Sequence, residues 1–156
     1  SKSFLRPQPS PEPVGHTFIM VMGSPDLEAS LAFWRRYFDN GIVGPIPYRI
    51  GVLSDAYDLP GETLHPLALV SMSDGYGIEI DQYPDEATAV PAPEGERGGV
   101  ILVSLSVDPG GLKDPLPWRL PYTNAAGAVE GGVMILPSGA PIEIALTTAM
   151  LPAPAP

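Results

Sequence analysis

Apolar positions along the chain follow two different periods, and the switch between them marks the elements. HTFIMVM at 16–22 and GVILVSLSV at 99–107 are apolar, β-branched runs of strand length. Between the first run and Gly41 the period becomes helical. Leu27, Leu31, Trp34 and Phe38 recur at spacings of four, three and four, one stripe that assigns Trp34 to the core. Ser24 is the expected N-cap, Pro25 suits the first helical position, Asp26 favours the positive end of the helix dipole, and Gly41 offers a stop. These signals predict a helix of about 13 residues. A further strand is expected near Tyr48 to Leu53.

The next pattern is a hairpin that occurs twice. ALVSMSDGYGIEI runs from Ala68 to Ile80, and VMILPSGAPIEI runs from Val133 to Ile144. Each is an apolar strand, a turn holding Gly75 or Gly139, and a strand with an Ile-Glu-Ile core. Turn glycines and glutamates share one offset of 64 residues. The chain is therefore a repeat. Its first half reads strand, helix, strand, hairpin, or βαβββ. In the second half DPGGLKDPLPWRLP, with four prolines and two glycines after Asp108, leaves room for at most one short helical turn.

Proline marks the borders of these halves. SKSFLRPQPSPEP at 1–13 is an extended N-terminal tail or linker, 149–156 is a Pro/Ala-rich tail, and YPDEATAVPAPEGERGG at 83–99 separates the units. The expected domain is 14–148, with units of about 14–83 and 98–148. At 156 residues and 44% hydrophobic side chains the chain fits one such domain. Eighteen acidic against eight basic residues give a net charge of −10, the wrong sign for nucleic acid or an anionic membrane surface. No apolar run is long enough to span a bilayer, and no signal-peptide layout stands at the N-terminus. The absence of cysteine excludes disulfides and thiolate chemistry and suits a cytoplasmic location. P-loop, nucleophile-elbow and His-Glu-x-x-His motifs are missing.

Two βαβββ units, with SPDLEASLAFWRRYF in the first and a glutamate-bearing strand closing each, resemble the vicinal oxygen chelate superfamily. That superfamily includes glyoxalase I, the bleomycin-resistance proteins and the extradiol dioxygenases. The resemblance covers about residues 14–148 and rests most specifically on the Asp-Leu-Glu-x-Ser-Leu-x-Phe-Trp helix and the IEIDQYP strand. It implies an α+β fold in which paired units build a cupped, mostly antiparallel sheet, here with a degenerate second helix. It also implies a small-molecule ligand, a homodimer or second domain of the same type, and a divalent metal (Mn, Ni, Zn or Fe) held by first and last strands.

Strand alternation puts Glu79 and Asp81 on the face opposite Ile78 and Ile80, and Glu143 opposite Ile142 and Ile144. By the resemblance Glu79 and Glu143 take the last-strand ligand positions, His16 is the candidate first-strand ligand, and Glu143 is also the candidate general base. Counting back seven residues from Asp26 lands on Ile19, so His16 serves only if the loop before the helix is longer than in the family. The second first strand offers no His, Gln, Asp or Glu, only Ser104 and Ser106. The metal set is thus incomplete, and His65, expected in a loop or at a strand end, matches no ligand position. Three functions follow. One is metal-dependent lyase, isomerase or dioxygenase chemistry on a small oxygenated metabolite. Another is metal-free binding of a small molecule in a pocket lined by Asp81, Tyr48, Ser104, Trp118 and Tyr122. The third is a structural module of a longer chain. Carboxylates facing one cavity call for a positive group nearby, with Arg35, Arg49 or Arg119 as candidates.

Overall fold

Among the described residues, strand-forming runs and the amphipathic stripe become eight strands and two helices. In a computed structural model, which describes residues 9, 11, 19–72, 75–87, 102–117, 120–124 and 127–146, the first unit comprises β1 (Ile19–Ser24), α1 (Leu27–Tyr37), β2 (Ile42–Arg49), α2 (Gly51–Ala56), β3 (Leu64–Ser71) and β4 (Gly77–Gln82). The second comprises β5 (Val103–Val107), a single 3-10 turn at Pro109–Gly111, β6 (Leu120–Asn124), β7 (Gly127–Ile135) and β8 (Pro141–Leu146). Two compact units result, one of residues 1–31 and 40–89, the other of 32–39 and 90–156, so the end of α1 groups with the second unit.

Each unit holds a mixed four-stranded sheet with one strand order. The orders are β1-β4-β3-β2 and β5-β8-β7-β6, parallel between the first pair and antiparallel elsewhere. The duplication expected from the repeated hairpin is therefore a duplication of topology. The 64-residue offset survives in register: Leu69 pairs with Glu79 and Val133 with Glu143. Both turn glycines have positive φ, 80° at Gly75 and 84° at Gly139. The degenerate second helix is the one 3-10 turn, where Asp108 Oδ1 accepts the Gly110 N–H.

Leu27, Leu31, Trp34 and Phe38, the predicted stripe, are all buried, as are Ile78, Ile80, Ile142 and Ile144 of the two hairpins. Around Trp34 and Phe38 the rings of Phe33 and Tyr37 pack at centroid distances of 5.0–6.5 Å, an aromatic cluster on the last turns of α1.

Three local expectations are corrected. Asp26, not Ser24, caps α1, its Oδ1 accepting the Ala29 N–H at 2.9 Å, because Ser24 ends β1 and turns its hydroxyl to Ser30 Oγ at 2.8 Å. The strand placed near Tyr48 to Leu53 is instead Ile42–Arg49, and 51–56 is helical. β2 is an edge strand, the sheet position that tolerates prolines such as Pro45 and Pro47, and it bulges between Val43 and Ile46. Gly44 there has φ 112° and would place a side chain 2.8 Å from the Leu67 carbonyl oxygen. Finally, part of the proline-rich stretch read as a remnant helix forms β6, again an edge strand.

Candidate functional site

The carboxylate-bearing face of the first unit is built by register. Across β1-β4-β3-β2 one row consists of Val21, Glu79, Leu69 and Val43, and the next of Gly23, Asp81, Leu67 and Ile46. Directly paired residues point to one side of a sheet, so Glu79 and Asp81 stand side by side within an apolar surface. Val21 (58%) and Val43 (40%) are exposed, whereas Asp81 keeps only 6% of its surface. Tyr48 lies further along the same face, opposite His65 in the register and largely exposed.

Asp81 is the unusual group. Burial, then the charge of Glu79 and a hydrogen bond shared with it, push the Asp81 carboxyl up from 3.8 to about 6. Its Oδ1 atom is buried with no hydrogen-bond partner. The end of the strand is held firmly around it. Gln82 Oε1 accepts the Leu27 N–H at 2.7 Å while its Nε2 donates to the Pro25 carbonyl at 2.7 Å, a clamp on the start of α1. Tyr83 N then donates to the Ser24 carbonyl at 2.8 Å. Its ring lies over Gly23, where an added Cβ would fall 2.1 Å from Tyr83 Cζ.

The second unit repeats the arrangement with other chemistry. Glu143 pairs with Ser104 on β5 and Val133 on β7, and the Ser104 hydroxyl donates to Glu143 Oε2. The position equivalent to Asp81 is Ala145, buried at 3%. Tyr122 is described by its backbone alone, paired with Val129. A cavity of about 450 Å³ in this unit is lined by Phe33, Arg36, Tyr37, Pro117, Val133, Met134 and Ile135, none of them a predicted site residue. Its Arg36 is engaged by Asp114 at 3.1 Å and lies over the Tyr37 ring. Lys113 pairs with Asp39 at 3.2 Å.

His16, Trp118 and Arg119 lie outside the described residues. The first-strand residue paired with Glu79 is Val21, a hydrocarbon, and Ile19, the position a direct count gives, is another. Among the described residues no three His, Asp or Glu side chains gather as a metal would require. The donor set among the described residues does not by itself fit a divalent metal. His65, expected in a loop or at a strand end, is the second residue of β3, buried at 3%, with Nε2 bonded to Ser54 Oγ of α2 at 3.1 Å. Sequence reasoning missed Val21, Gly23 and Tyr83. The signal for Tyr83 was its place two residues beyond Asp81 on the alternating face; nothing short of register marks Val21 and Gly23.

No protein-family model matches the chain, and no curated protein matches it in sequence. Solved structures do resemble it. A glyoxylase/bleomycin resistance protein/dioxygenase domain from Frankia sp. EAN1pec superposes with a TM-score of 0.55 at 13% identity, covering 86% of this chain and 99% of that one. A glyoxalase/dioxygenase from Nostoc punctiforme gives 0.55 at 16% identity, over 92% and 99%. A glyoxalase-related enzyme from Fulvimarina pelagi gives 0.50 at 18%, over 86% and 89%. No helix is long and apolar enough to cross a membrane among the described residues. At these identities the likeness is one of architecture: the chain has the fold of the glyoxalase, bleomycin-resistance and dioxygenase structures, that of the vicinal oxygen chelate superfamily.

Proposed function

We propose that this protein binds a small molecule on the carboxylate-bearing face of its first unit without a metal ion between them. One observation carries this reading: two carboxylates, one of them buried with an unsatisfied oxygen, stand in an apolar surface whose outer valines are exposed. Apolar walls with a few convergent polar groups are what small-molecule sites share. A homodimer, or pairing with a second domain of the same type, belongs to this reading.

Metal-dependent lyase, isomerase or dioxygenase chemistry is the competing function. Its support is the equivalent placing of Glu79 and Glu143, each at the centre of a last strand in a fold shared with a glyoxalase/dioxygenase. Against it stand Val21 and Ser104 at the paired first-strand positions. The test is metal analysis after dialysis against Mn²⁺, Ni²⁺, Zn²⁺ or Fe²⁺, combined with an NMR screen of small neutral and cationic fragments. Binding that shifts the Val21, Leu69 and Glu79 amides, with less than a tenth of an equivalent of metal retained, is the expected outcome. One equivalent of metal that disappears in Glu79→Ala would overturn the metal-free reading.

A further inference from the structure

Asp81 is a carboxylate the fold does not need. Its equivalent in the second sheet is Ala145, equally buried in the same topology. Asp81 keeps only 6% of its residue exposure, and its buried Oδ1 meets no donor. Its sheet neighbours, Gly23 and Leu67, bring no side-chain donor either. A buried acceptor without a partner is retained against a penalty, and it specifies what would satisfy it. Glu79 narrows the choice. A neutral hydroxyl or amide would satisfy Oδ1 yet leave two carboxylates together in an apolar surface, whereas a cationic N–H donor answers both demands.

The surroundings select among cations. Tyr83 lies over Gly23, the residue paired with Asp81, and its ring fills the space of the missing side chain. Neighbouring strands are about 4.8 Å apart, so the phenol lies about one strand spacing from Asp81. A ring packed on the neighbouring position favours a compact ammonium over a broad guanidinium fork, and a quaternary ammonium carries no N–H to give. The adjoining row of Val21, Leu69 and Val43 offers exposed hydrocarbon to whatever is attached.

Resting on the ligand-binding reading above, we infer that the site takes a primary amine with an apolar body, its ammonium held by Asp81 and Glu79, and that Tyr83 is the residue that excludes bulkier cations. The ring must swing off Gly23 for the ammonium to enter, then close beside it. An apolar chain lies along Val21, Leu69 and Val43.

Calorimetry and amide NMR on the full chain at pH 8 test this with three probes: n-hexylammonium, hexyltrimethylammonium and 1-hexanol. Hexylammonium is expected to bind at least tenfold tighter than the other two. Asp81→Asn should weaken it at least tenfold and leave hexanol within twofold, with an unchanged circular dichroism spectrum. Tyr83→Ala, a change at a surface ring, should bring hexyltrimethylammonium within threefold of hexylammonium. Equal binding of all three probes on the Val21 and Leu69 amides would overturn the amine assignment while leaving the ligand-binding reading intact. No binding of any probe to that face would overturn both.

Discussion

Glu79 and Glu143 occupy the same register position in two sheets of one topology, yet their neighbours differ at each side. Beside Glu79 on the parallel strand stands Val21; beside Glu143 stands Ser104, whose hydroxyl is given to the carboxylate. Two residues further on, the first strand buries Asp81 and the second buries Ala145. One sheet has thus answered its glutamate internally, and the other has added a second carboxylate with no donor. The two sheets share strand order and buried isoleucines, and within the sheets the difference falls on the opposite face.

The largest expected effect probes what the two sheets share. Ile80 and Ile144 are equivalent and fully buried, so Ile80→Ala and Ile144→Ala should each cost about 2–5 kcal/mol, and within about 1 kcal/mol of one another. Urea unfolding measures both. A difference beyond 2 kcal/mol would mean that the two hairpins are alike in sequence but not in packing.

The next probes what separates them. Asp81 binds its proton more tightly folded than unfolded, its carboxyl raised from 3.8 to about 6. Stability linked to it is therefore fully present below about pH 4 and lost as pH rises through 6. Asp81→Asn should match the parent at pH 4 and exceed it above pH 7, by about 2–3 kcal/mol at 1.4 kcal/mol per pKa unit. Ala145→Asp should introduce the same slope into the second sheet. Urea midpoints from pH 4 to 8 check both, and a parallel pair of curves for parent and Asp81→Asn would show that Asp81 is not strained by burial.

These residues also show which parts of the molecule a sequence displays. The helix was legible because Leu27, Leu31, Trp34 and Phe38 carry a local period, and the hairpins because turn, isoleucines and glutamate recur together. The edge strands β2 and β6 were not. Both contain prolines, which read as loops unless one knows that the missing N–H falls on a free edge. Alternation placed Glu79 and Asp81 on one face correctly, since that depends on one strand only. What surrounds them depends on pairing between segments 58 residues apart, as with Val21 and Glu79, and no local pattern encodes such register. The orphaned Asp81 oxygen and the ring over Gly23 follow from that pairing.

The smallest expected effect tests whether the two glutamates can be exchanged in kind. Ser104 is exposed and Glu143 only half-buried, so their hydrogen bond works against solvent, and Ser104→Ala should cost no more than about 1 kcal/mol. Its consequence lies in the carboxylate: without the hydroxyl, the ¹³C chemical shift of the Glu143 side-chain carboxyl should move toward that of Glu79, which NMR reads directly. Val21→Ser is the converse experiment, offering Glu79 the donor that Glu143 already has. Because Val21 is 58% exposed, the substitution removes little buried surface and should leave the unfolding midpoint nearly unchanged. If Val21→Ser draws the Glu79 resonance toward that of Glu143, the difference between the sheets reduces to one first-strand residue and Asp81. If it does not, the Asp81 carboxyl already engages Glu79, and the first sheet works as a pair that no single hydroxyl can replace.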